Sequence, residues 1–156
     1  MVHETPRVPP QRAAGEGCVL ALDLRVVVRP GLTVSVPARL RYHTADPYAV
    51  ALDNHVDSAT PITWVFAREL LAGGLRARSG IGSVSVHPGV GSCAGSVFIT
   101  LTGEEGSVLL RAPAEPVRAF LARTERLVPT GRERTRLDLD RLLRRLCDGG
   151  AASPGP

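Results

Sequence analysis

Residues 20–42, LALDLRVVVRPGLTVSVPARLRY, decide the fold. Leu20, Leu22, Leu24, Val26 and Val28 recur at every second position with Asp23 and Arg25 between them, which places one apolar set on one face of a pleated strand. Pro30-Gly31 supplies a turn. Val34, Val36, Ala38, Leu40 and Tyr42 then repeat the alternation, so the stretch reads as two antiparallel strands with one buried face.

Beyond this hairpin, Pro47 biases Asp46 toward an extended or turn conformation. Tyr48, Val50 and Leu52 follow as a third strand, with Tyr48 and Val50 pointing into the sheet, and Ile62, Trp64 and Phe66 as a fourth. Residues 67–73, ARELLAG, read as a short helix ended by Gly73-Gly74. Four extended segments are expected near 75–79, 83–87, 96–102 and 107–111. Gly80, Gly82, Gly89, Gly91, Gly95, Gly103 and Gly106 punctuate them, most of these supplying turns with positive φ.

In the last third, Val117, Phe120, Leu121, Thr124, Leu127 and Val128 recur at helical spacing, and Pro129-Thr130-Gly131 stops that helix. Leu139, Leu142, Leu143 and Leu146 mark a second helix, with Asp138 and Asp140 read at its start and Arg144 and Arg145 near its end, as the helix dipole favours. The order ββββ-α-ββββ-αα predicts an α+β domain of two packed antiparallel four-stranded sheets, with the terminal helices covering one side. The domain is expected over residues 17–148. Residues 1–16 and 149–156, rich in Pro, Gly and Ala, are expected to be disordered tails.

A chain of 156 residues with 44% hydrophobic and 22% charged residues suits one globular domain. All nineteen basic residues are arginine, which excludes Schiff-base lysines, lysine general bases and the P-loop lysine. Residues 118–147 carry nine Arg against four acids, within a chain of net charge +4. Such a surplus suits nucleic acid, an acidic surface or simply the solvated side of two helices. Cys18, Cys93 and Cys147 have no C-x-x-C spacing and read as free thiols. No apolar run is longer than five residues, so the chain is expected to be soluble and cytoplasmic.

No motif demands chemistry. Gly91-Ser92-Cys93-Ala94-Gly95 has the spacing of a nucleophile elbow, but the SVFITLTG after it reads as a strand where an elbow needs a helix. His3, His43, His55 and His87 lack metal-ligand spacing, and Glu104-Glu105 sit in a turn. Trp64 and Phe66 read as core rather than as a base-stacking platform. No catalytic, cofactor-binding or metal-ligating residue is assigned, and no small-molecule substrate is expected.

LRYHTADPYAV at 40–50 resembles the most recognisable stretch of the SsgA-like proteins of sporulating actinomycetes. WVFARELLAGGL at 64–75, SVSVHP at 83–88, FLARTERLVPTGRE at 120–133 and LDLDRLL at 137–143 are similar to further blocks of that family, in order across residues 18–147. The resemblance implies a Whirly-like fold, a homotrimer and no enzymatic activity. It also implies control of septum-site selection, septation and peptidoglycan deposition through other SsgA-like proteins, the tubulin-like division GTPase FtsZ or the cell-wall machinery, and a concentration at division septa. The basic charge and the length of the tail at 1–16 depart from the family pattern. An adaptor acting through protein contacts is the leading expectation. The alternative is a single-stranded nucleic-acid-binding module on the same scaffold, using Arg141, Arg144 and Arg145.

Overall fold

The computed structural model describes residues 15–149. The expected tails at 1–14 and 150–156 lie outside the described residues. Gly15 and Glu16, assigned to the first tail, adjoin the sheet: the Glu16 carbonyl accepts from the Thr44 amide at 2.9 Å, and the Glu16 amide donates to Thr44 Oγ1 at 3.0 Å.

The elements are β1 (Gly17–Arg29), β2 (Leu32–His43), β3 (Ala49–Asn54), β4 (Ile62–Ala67), α1 (Arg68–Gly74), β5 (Val84–Pro88), β6 (Ser96–Gly103), β7 (Gly106–Pro113), α2 (Ala114–Leu127) and α3 (Glu133–Gly149). A single 3-10 turn, Gly91–Cys93, precedes β6. The seven strands form one antiparallel sheet in the order β4-β3-β2-β1-β7-β6-β5. This corrects the expectation of two four-stranded sheets. Strand β1 is long enough to pair with β2 along its whole length and still join β7 at Arg25–Arg111 and Val26–Leu110, so the two halves share a strand. Residues 75–79 contribute only an isolated bridge between Ser79 and Val86.

The β1–β2 register follows the sequence pattern, with Pro30-Gly31 at the turn and Gly31 at φ 79°. One face buries Cys18, Leu24, Val36, Ala38, Leu40 and Tyr42, while Val28 and Val34 at the hairpin tip run past the core and are exposed. Helix α2 closes this face with Val117, Phe120 and Leu121. Helix α3 does not cover it: Leu142, Leu143 and Leu146 are exposed. Because α3 begins at Glu133, Asp138 lies a full turn inside the helix rather than at its start.

Two local readings also change. Of the seven punctuating glycines only Gly80, Gly91 and Gly106 have positive φ. Gly89 instead permits close approach, since a Cβ there would lie 1.9 Å from the Cys93 carbonyl oxygen. Gly73 and Gly74 lie inside α1, and the cap is Leu75 in right-handed conformation. Gly74 is required by packing: a Cβ would meet Val86 Cγ1 at 2.2 Å, so its bare backbone is what seats α1 on β5.

Candidate functional site

Arg68, the first residue of α1, is the centre of the structure's principal polar cluster. Its side chain is only 4% exposed. A cation at a helix N-terminus opposes the helix dipole, so its stabilisation must come from elsewhere. It comes from the other end of α2. Arg68 Nη1 donates to the Val128 carbonyl at 2.7 Å, an acceptor just past the helix end, and at 3.2 Å to the Thr124 carbonyl, which also accepts from the Val128 amide. Nη2 donates to Glu133 Oε1 at 2.8 Å, and Glu125 Oε1 lies 3.9 Å from Nη1. The guanidinium carbon also stands 5.2 Å from the Tyr42 ring centroid.

The acids of this cluster are held ionised. Burial opposes the charge on Glu133, but backbone N–H groups, including that of Gly131, and Arg68 outweigh it and keep its carboxyl below the usual range. Glu125 is likewise lowered: burial opposes the charge, and the hydroxyl and amide of Thr130 together with Arg68 prevail. Tyr42 completes the link to the TADPY segment. Its hydroxyl, whose pKa is pushed up mainly by burial, donates to the Pro47 carbonyl at 3.1 Å, and the Arg68 amide donates to the Tyr48 carbonyl at 2.8 Å. Pro47 therefore sits in a braced turn as expected. Tyr48 does not point into the sheet: it lies in the turn before β3 and is exposed, while Val50 is buried.

A groove of about 1210 Å³ opens beside this cluster, lined by Tyr48, Glu69, Arg76, Arg118, Glu125 and Arg134 among others. Both signs of charge border it, and Arg68, Glu125 and Glu133 are already engaged with one another. Among the described residues no three His, Cys, Asp or Glu side chains gather as a metal site. Cys93 lies in a 3-10 turn that leads into β6, not into a helix.

A second cluster lies on the outer face of the sheet. Asp53 is buried beneath two arginines of β2, accepting from Arg39 Nε at 2.7 Å and from Arg41 Nε at 2.6 Å and Nη2 at 3.0 Å. Thr63 Oγ1 donates at 2.7 Å to Asp53 Oδ1, the oxygen that also accepts from Arg41 Nη2. These bonds, Arg41's first, hold the Asp53 carboxyl far below its ordinary range. The large apolar residues Val19 and Val65 on this face are exposed, and Ile62, on the opposite face at the end of the edge strand β4, is exposed as well.

Arg141, Arg144 and Arg145 all lie exposed on α3, away from both clusters. Sequence reading missed Arg68, although one signal was present. Arg68 and Leu71 share the buried face of α1, and an arginine at a core position requires a buried acid or carbonyls to receive it.

The geometry is that of a sheet-and-helix domain whose buried charges are spent on holding its own segments together. Residues 36–133 match the family model described as Streptomyces sporulation and cell division protein, SsgA, and the chain belongs to that family. Among its relatives, it is 47% identical over 122 residues to the sporulation-specific cell division protein SsgB of Streptomyces coelicolor, covering 78% of this chain and 89% of the relative. It is 40% identical over 129 residues to SsgB of Frankia casuarinae, covering 83% and 90%. A crystal structure of an SsgA-like sporulation-specific cell division protein from Thermobifida fusca superposes with a TM-score of 0.77 at 34% identity, over 84% of this chain and 96% of that one. A structure of Streptomyces coelicolor SsgB, in which mutations correlate with longitudinal cell division during sporulation, superposes at 0.74 with 43% identity, over 78% and 96%.

Proposed function

We propose that this chain is a non-catalytic regulator of sporulation-specific cell division that acts by binding other proteins. One observation supports the adaptor reading. The buried charged groups, Arg68, Asp53 and Glu133, are all consumed in internal ion pairs, whereas Val19 and Val65 stand exposed on the outer face of the sheet, Ile62 on the other face of the edge strand β4, and Tyr48 in the turn before β3. Charges paired within a fold offer nothing to a substrate, while exposed apolar side chains and an open strand edge suit protein contact. The names of the relatives point to sporulation division as the process. The partners in this reading are a further two copies in a homotrimer, other SsgA-like proteins, and FtsZ or the cell-wall machinery at the septum.

The test is recovery of FtsZ and SsgA-like proteins by the tagged chain from sporulating cells, beside the variants Ile62→Glu and Val65→Glu. Both positions are solvent-exposed, so the melting temperature should hold while recovery falls. Sedimentation equilibrium of the native chain should give three times 16.5 kDa. Full recovery by both variants would remove the sheet-edge reading, and a strict monomer would remove the trimer.

A further inference from the structure

Helix α3 is anchored at its first turn by the Arg68–Glu133 pair and then leaves the domain. Its described side chains from Asp138 to Asp148 are all exposed. Leu142 at 53%, Leu143 at 46% and Leu146 at 66% stand on one side of it, and helical spacing carries the same stripe back to position 139, a leucine in the sequence. Among the described residues nothing covers this stripe, and a stripe of this kind suits the seam of a helix pair.

The charges on the margins of the stripe identify the second helix. Asp138 and Arg145, two turns apart, lie along one margin. Positions 140 and 144, Asp and Arg in the sequence, lie along the other. Within the span of the stripe the acid on each margin is N-terminal and the base C-terminal, with Arg134 and Arg136 one turn before the acids. When two identical helices pair antiparallel, like margins meet with their order reversed. Asp138 then faces Arg145 of the second copy, and Arg145 faces that copy's Asp138. When they pair in parallel, opposite margins meet at the same level, setting Asp138 against another aspartate and Arg145 against Arg144. The leucine pattern is itself symmetric about the point between 142 and 143, where a twofold axis would pass.

The geometry points to α3 as a self-recognition helix, pairing antiparallel with α3 of a second copy of this chain. The apolar stripe supplies the attraction and the margins select the direction. This twofold contact is separate from the threefold contact of the proposed homotrimer, and the inference does not rest on the adaptor reading. Added to a trimer, it would join one ring to another.

Cysteine cross-linking tests it on the full chain with Cys93 and Cys147 changed to Ser. Near the axis, residue 142 meets its own counterpart, so Leu142→Cys should form a disulfide-linked dimer on oxidation. Leu146→Cys should not, because an antiparallel pair carries position 146 about 10 Å along the axis from its copy, at 1.5 Å rise per residue. Equal cross-linking at both positions would mean parallel pairing, and cross-linking at neither would mean that α3 serves something other than itself. Either result overturns the proposal. In the Leu142→Cys background, Asp138→Arg or Arg145→Asp alone should slow cross-linking about tenfold, since each sets like charges face to face. Mixing the two variants sets the introduced arginine of one copy opposite the introduced aspartate of the other and should restore the native rate. A mixture as slow as its components would sink the charge pairing.

Discussion

Arg68 donates to Glu133 at 2.8 Å across 65 positions of sequence, and both side chains are nearly out of solvent. The same guanidinium receives the end of α2 and stands over Tyr42, so three sequence blocks (40–50, 64–75 and 120–133) converge on one side chain. Removing one partner of a buried pair costs about 3–5 kcal/mol, because the other charge is left without compensation. Arg68→Ala should therefore lower Tm by about 10 °C for a chain of this length. Arg68→Lys should recover only part of the loss, since a lysine cannot serve two carbonyls and a carboxylate with one planar fork. A thermal melt of each decides it; an Arg68→Ala protein as stable as the native chain would show that the cluster does not hold the fold.

The Tyr42 hydroxyl on the Pro47 carbonyl makes a second, smaller brace. Tyr42→Phe keeps the ring beneath Arg68 and removes only that bond, which should cost about 1 kcal/mol. Pro47→Ala should cost a similar amount by freeing the turn in the unfolded chain. Both changes should leave oligomeric state and partner recovery as they were. A Pro47→Ala protein with native Tm and lost binding would make the turn an interface rather than a brace.

Acid should unfold the protein, with a sign that follows from the carboxylates. Asp53, Glu125 and Glu133 are held below their ordinary values of 3.8 for Asp and 4.5 for Glu. The unfolded chain therefore takes up protons first as pH falls. Their stabilisation is complete above the ordinary values and is lost as pH drops through the lowered ones. Tm should be level from neutral pH to about pH 5 and should fall steeply below about pH 4. Glu133→Gln should start less stable at neutral pH and show a shallower acid decline, which differential scanning fluorimetry across pH 3–7 would read.

Local pattern carried most of the fold, and where it failed the cause was a contact distant in sequence. The alternation at 20–42 located β1, β2 and their turn, because a strand with one buried face leaves a period-two record. Nothing in that pattern says that β1 is shared by both halves of the sheet, since the Arg25–Arg111 and Val26–Leu110 pairings join residues far apart in the chain. Gly74 looked like a helix stop, whereas its lack of a side chain answers to Val86 on another element. Tyr42 and Tyr48 show the same limit. Both fitted the apolar alternation, but only Tyr42 lies within a strand, and Tyr48 belongs to the turn that Tyr42 braces. The site suffered more than the fold, because the roles of Arg68 and Asp53 exist only through partners on other strands and helices.

Binding of single-stranded DNA needs phosphate contacts from a basic surface and aromatic faces for the bases, the latter worth about 1–3 kcal/mol per base. The basic surface exists, since Arg141, Arg144 and Arg145 are all exposed. The aromatic faces are elsewhere. Tyr42, Phe66 and Phe120 are buried, Trp64 packs against the core, Phe98 is stacked on His87, and Tyr48 is exposed but belongs to the turn before β3, not to α3. Affinity would then be electrostatic alone, and it must fall steeply with salt as counterion release weakens. Arg145 also has Asp138 on the same helix margin, which reduces the field it can offer to a phosphate. A gel-shift titration with a single-stranded oligonucleotide should show weak binding in low salt that disappears near 150 mM, where the screening length is about 8 Å. Changing the three arginines to Gln should abolish what little there is. Tight, saturable binding at 150 mM that depends on those three side chains would instead make α3 a nucleic-acid helix and displace the adaptor reading.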